Sequence, residues 1–209
     1  MSNNQKVGQD TSNTVASEVK PSGRDWVFRY RGSKDLRDLR LPFRGYAEAF
    51  IEALRAAGAT VNINATYRPP KRAYLMHWAW KIARGRVTAE AVPAMDGVPI
   101  AWEHYEKDKK YSDALSVEAA REMVCGFQME RLGVAPSLKS RHTAGCGIDM
   151  TISWTGDLLI PDAYGELIKI DKLPRTGMNP QLHRVGASYG VIKYNRSGRD
   201  DPHWSDTGA

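Results

Sequence analysis

Residues 148–154 read Ile148-Asp-Met-Thr-Ile-Ser-Trp154, with apolar side chains at 148, 150, 152 and 154. The two-residue period is that of a strand with one buried face, so Ile148, Met150, Ile152 and Trp154 point into a core and Asp149 points the other way. The segment just before it, Ser140-Arg-His142-Thr-Ala-Gly145-Cys-Gly-Ile-Asp149, sets an imidazole seven residues ahead of that carboxylate across a glycine-containing turn. If the turn bends, His142 and Asp149 face one point.

Outward from this strand, the chain alternates helical and extended patterns in irregular order. Arg44–Ala57 carries Tyr46, Phe50, Ile51 and Leu54 at helical spacing, Gly58 stops it, and Thr60–Ala65 alternates with Val61, Ile63 and Ala65 on one side. That strand delivers Thr66, Tyr67 and Arg68 to its end. Pro69-Pro70 blocks extension, and Lys71–Arg84 is expected to be a helix ended by Gly85. Residues 86–111 hold scattered Pro and Gly and no period, as in a long irregular excursion of the kind that shapes a cleft. Ser116–Leu132 reads as a helix capped by Ser116. Pro180–Tyr189 reads as a short helix stopped by Gly190, Val191–Tyr194 as a strand and Asn195–Asp201 as a turn-rich loop. Without a regular βαβ alternation, the pattern predicts an α+β fold, a small antiparallel sheet flanked by helices.

A chain of 209 residues with 42% hydrophobic residues supports one domain, expected over residues 24–209, behind a disordered tail at 1–23. The tail has no basic cluster followed by an apolar core, so it does not read as a secretory signal, and no apolar run approaches the roughly 18 residues that span a bilayer. A protein with this layout is expected to be made in the cytoplasm and to act beyond it only after release. Thirty Lys and Arg against 24 Asp and Glu give +6, which suits an anionic partner without choosing among nucleic acid, lipid and wall polymer. Cys125 and Cys146 do not form a C-x-x-C pair, which points to free thiols rather than a disulfide framework or an all-cysteine metal site.

Imidazole nitrogen and carboxylate oxygen are zinc donors, and a catalytic zinc takes three protein ligands. Of the five histidines, His203 stands out as the third ligand by its neighbours, Asp200-Asp201-Pro202-His203-Trp204. A carboxylate three residues before an imidazole supplies a base beside a metal without being its ligand, which metal-assisted hydrolysis needs.

The pattern S-x-H-x-x-G-x-x-x-D at 140–149, followed by a late acid-x-x-His, resembles the LAS metallopeptidases: D-Ala-D-Ala carboxypeptidases and dipeptidases, and the L-Ala-D-Glu endopeptidases of phage endolysins. Leu182-His-Arg-Val-Gly-Ala-Ser-Tyr-Gly-Val191 and Thr66-Tyr67-Arg68 extend the resemblance, which covers roughly residues 43–205. It implies Zn²⁺ held by His142, Asp149 and His203 at the sheet, Asp200 as general base, Arg68 polarising the scissile carbonyl, and Ser140 near the substrate. The D-x-P-H-W form is closest to the endolysin branch, which implies a bacteriolytic peptidoglycan hydrolase: a monomer that cleaves L-Ala-D-Glu in stem peptides and has neither a nucleic-acid partner nor a membrane span. Gly147 departs from the family, which usually has Ala there, and is expected to alter loop rigidity but not ligation. Residues 86–111 have no counterpart.

Other readings stand beside this one. Taken alone, a His and an Asp at this spacing are more often a hydrogen-bonded surface pair than a site. Asp201 rivals Asp200 as the base, and His183, His77 and His104 are alternative ligands. Cys146 paired with His142 is an alternative nucleophile, although Asp149 and Asp200 then have no role. Trp78, Trp80 and Trp102 read as core or as a platform for sugar or stem peptide. A D,D-carboxypeptidase and a non-enzymatic basic protein that binds wall polymer or nucleic acid are the rival functions.

Overall fold

The computed structural model describes residues 18–194 and 202–209 and has a mixed α+β architecture with four helices and three small sheets. The main sheet is antiparallel in the order β2 (Thr60–Ala65), β4 (Gly147–Ser153), β8 (His203–Ser205), β7 (Ile192–Lys193). Ile148, Met150 and Ile152 are buried on one face of β4, as the alternation predicts, and pack with Phe43, Phe50, Ile51 and Leu54 of α1 (Phe43–Ala56) and Leu182 and Val185 of α4 (Pro180–Ser188). Each such side chain fully removed from water contributes about 1.5–3 kcal/mol before its entropy cost. Trp204 of β8 is wholly buried in the same core, its rings 5.5 Å from Phe50. The opposite face of the sheet carries Asn62, Asn64, Asp149 and Thr151, and there Asn64 donates to Thr151 across β2 and β4.

A second apolar cluster joins α2 (Pro70–Ala83), α3 (Asp113–Gly126) and the irregular excursion. Residues 86–111 hold a turn of 3-10 helix, β3 (Ile100–Ala101) and a single antiparallel bridge between Tyr105 and Tyr111, yet Ala89, Val98 and Trp102 anchor them in this core. Strand β3 pairs with β1 (Lys20–Pro21), so these residues, expected in the tail, are part of the fold. Trp80 and Trp102 are buried and Trp78 is half-buried, the core reading of that cluster. No helix among the described residues is long and apolar enough to cross a membrane.

Two expectations shift. Helix α3 begins one turn before Ser116: Ser112, in extended conformation, accepts from the Leu115 amide, while Ser116 is buried, donating to the Ser112 carbonyl and accepting from the His104 amide. A hydroxyl bonded back along the helix is unavailable as a cap. The helix ends at Gly126 rather than Leu132, because Gln128 takes a left-handed conformation (φ 59°); Phe127 and Met129 stay buried, which extends the apolar pattern past the helix. The hairpin of β5 (Leu158–Pro161) and β6 (Leu167–Ile170) and the short strand β8 were not foreseen. Asn195–Asp201, expected as a loop, lies outside the described residues.

Candidate metal centre

Asp149 and His203 stand directly opposite each other on β4 and β8, on the face away from the core. Their neighbours Ile148 and Trp204 also stand opposite, and burial of that pair fixes the register. His142 comes from the turn before β4. Ser140 builds this turn: its hydroxyl accepts from the Thr143 amide and its carbonyl from the Thr143 hydroxyl and the Ala144 amide. Gly145 closes it in the left-handed region (φ 72°), its amide donating to the His142 carbonyl. The Ser140 hydroxyl thus has a local partner in the turn.

The turn is pinned against the exit of β2. There the pairing with β4 slips between Ile63 and Ala65, a bulge that re-aims the chain. The Thr66 carbonyl accepts from His142 Nδ1 (2.7 Å), and the Arg68 amide donates to the His142 carbonyl (3.2 Å). Gly147 makes the close approach possible, since a β-carbon there would meet Arg141 Cβ at 3.0 Å and backbone atoms of Arg141 and His142 at 3.1 Å.

His142 Nε2, His203 Nδ1 and Asp149 Oδ1 form a triangle with edges of 3.0, 3.0 and 2.9 Å. The far nitrogens of both rings rest on main-chain oxygens, His142 Nδ1 on Thr66 and His203 Nε2 on Ala209 at 3.3 Å. Those oxygens only accept, so the far nitrogens carry the protons and two lone pairs and a carboxylate oxygen converge. A proton or a metal ion can be shared among three such groups. Burial works against the imidazolium form of His142, but the bond to Asp149, the Asp149 charge and the Thr66 carbonyl together outweigh it and raise the His142 pKa. Burial also opposes ionisation of Asp149, yet the bonds from His142 and His203 push its carboxyl well below the usual carboxylate range. The triad could hold a metal ion. Tetrahedral zinc at its usual bond lengths spaces its donors about 3.3–3.4 Å apart, so the triangle fits with a few tenths of an ångström of opening. Main-chain acceptors behind both rings supply the outer contacts that orient ligating histidines.

The remaining sequence-derived residues fall as follows. Arg68 is half-buried beside the triad, and its charge opposes protonation of His142. Asp200 and its rival Asp201 lie outside the described residues. His183 bonds the Gly177 carbonyl at 3.0 Å and stacks edge-on against Trp204, His77 bonds the Pro136 carbonyl, and His104 bonds Ser22. None of these three belongs to the cluster, which is the one such group found among the described residues. Both ring nitrogens of His142 are engaged, and burial followed by the Asp206 charge raises the Cys146 thiol, which opposes a thiolate nucleophile.

Sequence reading missed the supports. Lys193 is buried and donates to the carbonyls of His203 (3.0 Å) and Tyr194 (3.1 Å), and Arg141 pairs with Asp206 beside β8. An apolar-flanked lysine on a two-residue strand gives no sequence signal of such a role. Neither protein-family models nor curated protein sequences give a match to this chain.

Proposed function

We propose that this protein is a zinc-dependent peptidase of the LAS type, cleaving stem peptides of bacterial peptidoglycan between L-Ala and D-Glu as phage endolysins do. The observation that carries the reading is the convergence of three metal-donor side chains from separate segments, His142, Asp149 and His203, with Arg68 alongside. The order of these residues along the chain agrees with the family pattern, and a basic protein suits an acidic wall polymer.

When bound, zinc acts as a Lewis acid toward a carbonyl oxygen and acidifies water. The chain's own groups do the rest. Main-chain oxygens that engage Nδ1 of His142 and Nε2 of His203 leave His142 Nε2 and His203 Nδ1 as the nitrogens turned to the metal position. Arg68 meets the negative charge that develops on the scissile carbonyl, a form of stabilisation that is large in a partly buried site. Asp200 accepts a proton from the attacking water and returns it to the leaving amine.

The test is mass analysis of fragments released from purified peptidoglycan by the zinc-loaded protein. New amino termini on Glu, with L-Ala left on the lactyl group, support the proposal. Release of free D-Ala alone, with the mesh intact, moves the protein to the D,D-carboxypeptidase class. Binding without any cleavage makes it a wall-binding protein.

A further inference from the structure

The turn that carries His142 is tied to the end of β8 by a closed ring of three contacts. The Arg141 carbonyl accepts from the Cys146 amide (2.8 Å), the Cys146 carbonyl accepts from the Asp206 amide (3.2 Å), and the Asp206 carboxylate accepts from the Arg141 guanidinium. Arg141 immediately precedes His142, and Asp206 follows His203 by three residues, so the ion pair joins the two segments that supply the imidazoles. On its other flank the turn is held to the exit of β2 through Thr66 and Arg68. The two side chains of the pair keep 30% and 31% of their surface exposed, and Arg141 Nε and Asp206 Oδ1 are buried without a hydrogen-bond partner among the described residues, so one nitrogen meets one oxygen. A partly exposed, one-point ion pair adds little to stability. As a brace it matters more: the His142 and His203 rings, their centres 4.8 Å apart, sit on the two braced segments, and contacts that orient ligands set metal affinity.

We infer that Arg141 and Asp206 are positioning residues of the metal centre: their ion pair clamps the His142 turn to the strand that carries His203 and holds the two imidazoles at the spacing that grips the ion. The clamp bears on zinc only if the triad takes the metal, and it is independent of the peptidase reading.

Zinc affinity of the full chain is measured by competition with a chromogenic chelator for wild type, Arg141→Met, Asp206→Asn and the double variant, with melting of the chelated proteins alongside. Each single variant should bind zinc about tenfold more weakly, the lower end of what outer contacts at a metal site are worth. The double variant should bind no more weakly than either single, because the two side chains act through one contact. Arg141→Lys, which can still make a one-point contact, should recover part of the affinity. The Tm of the chelated variants should move by no more than about 4 °C, so that weaker binding is not loss of fold. In the chelated proteins, cross-relaxation between the ring protons of His142 and His203 should be present in wild type and weaker in each variant, a readout that needs no metal. Unchanged zinc affinity in folded variants, losses that multiply in the double variant, or an unchanged ring contact overturns the clamp and leaves the metal centre and the peptidase proposal standing. A wild-type chain that takes up no zinc removes the metal centre instead, and the ring contact then decides the clamp by itself.

Discussion

Nε2 of His142 lies 3.0 Å from Nδ1 of His203, and each ring leans its other nitrogen on a main-chain oxygen. Two imidazoles whose free lone pairs meet over a carboxylate leave a place for one cation. The expected stoichiometry is one zinc per chain, measured by elemental analysis after dialysis, with His142→Ala and Asp149→Asn each losing the metal. Zinc at about 100 times its dissociation constant should add about 2.7 kcal/mol of stability, read as a rise in Tm that chelation reverses. An unchanged Tm and less than a tenth of an equivalent of zinc would count against the site.

The same contact fixes the pH dependence. A proton shared between His142 and Asp149 occupies the place of the metal, and the His142 pKa is raised above 6.5, so zinc affinity should fall as pH drops through that raised value, by about tenfold per unit once His142 is protonated. For the metal-free protein the signs oppose. The raised His142 contributes stability that is complete below 6.5 and lost as pH rises through its folded value. The lowered Asp149 contributes stability that is complete above 3.8 and lost as pH falls toward its folded value. Chelated protein should therefore gain most from this pair between 3.8 and 6.5, and melting curves across pH test this window.

Gly147→Ala tests the close packing of the turn on β4. The added methyl meets backbone at 3.1 Å, where relief requires moving the peptide that carries His142. The sequence led us to expect a change in rigidity without a change in ligation; the contact distances imply that ligation suffers as well. A loss of about 1–3 kcal/mol in stability is expected, typical of overpacking, together with weaker zinc binding by calorimetry. Gly45→Ala is the control: it lies in α1 with open space around its Cβ position and should stabilise by roughly 0.5–1 kcal/mol.

Ligands and chemical groups should separate in kinetics. Arg68→Gln should keep zinc and lower turnover about 10²–10³-fold, as removal of an oxyanion donor does. Asp200→Asn should keep zinc and lower turnover roughly 10²–10⁴-fold, while Asp201→Asn should leave both near wild type. A dead, zinc-replete Asp201→Asn beside an active Asp200→Asn would move the base by one residue.

What the sequence made legible follows the strength of its periods. Alternation in 148–154 placed Asp149 on the open face, and the apolar spacing of 44–57 placed α1 within a residue. The start of α3 was misplaced because two serines four residues apart both look like caps, and only the His104 amide, brought by the excursion, decides which hydroxyl is used. The β5–β6 hairpin and the three residues of β8 are too short for a period to show; the register of β8 is set by Trp204 against Ile148, a contact between distant segments.

The His142 carbonyl accepts from both the Gly145 and the Arg68 amides, while its ring donates to Thr66. Ligand and guanidinium therefore hang on one rigid frame, and a pull on either side chain is felt by the other. Thermodynamic reciprocity then links two affinities: a carbonyl compound that draws Arg68 into place should tighten the hold on the cation, and the cation should sharpen the grip on that compound by the same factor.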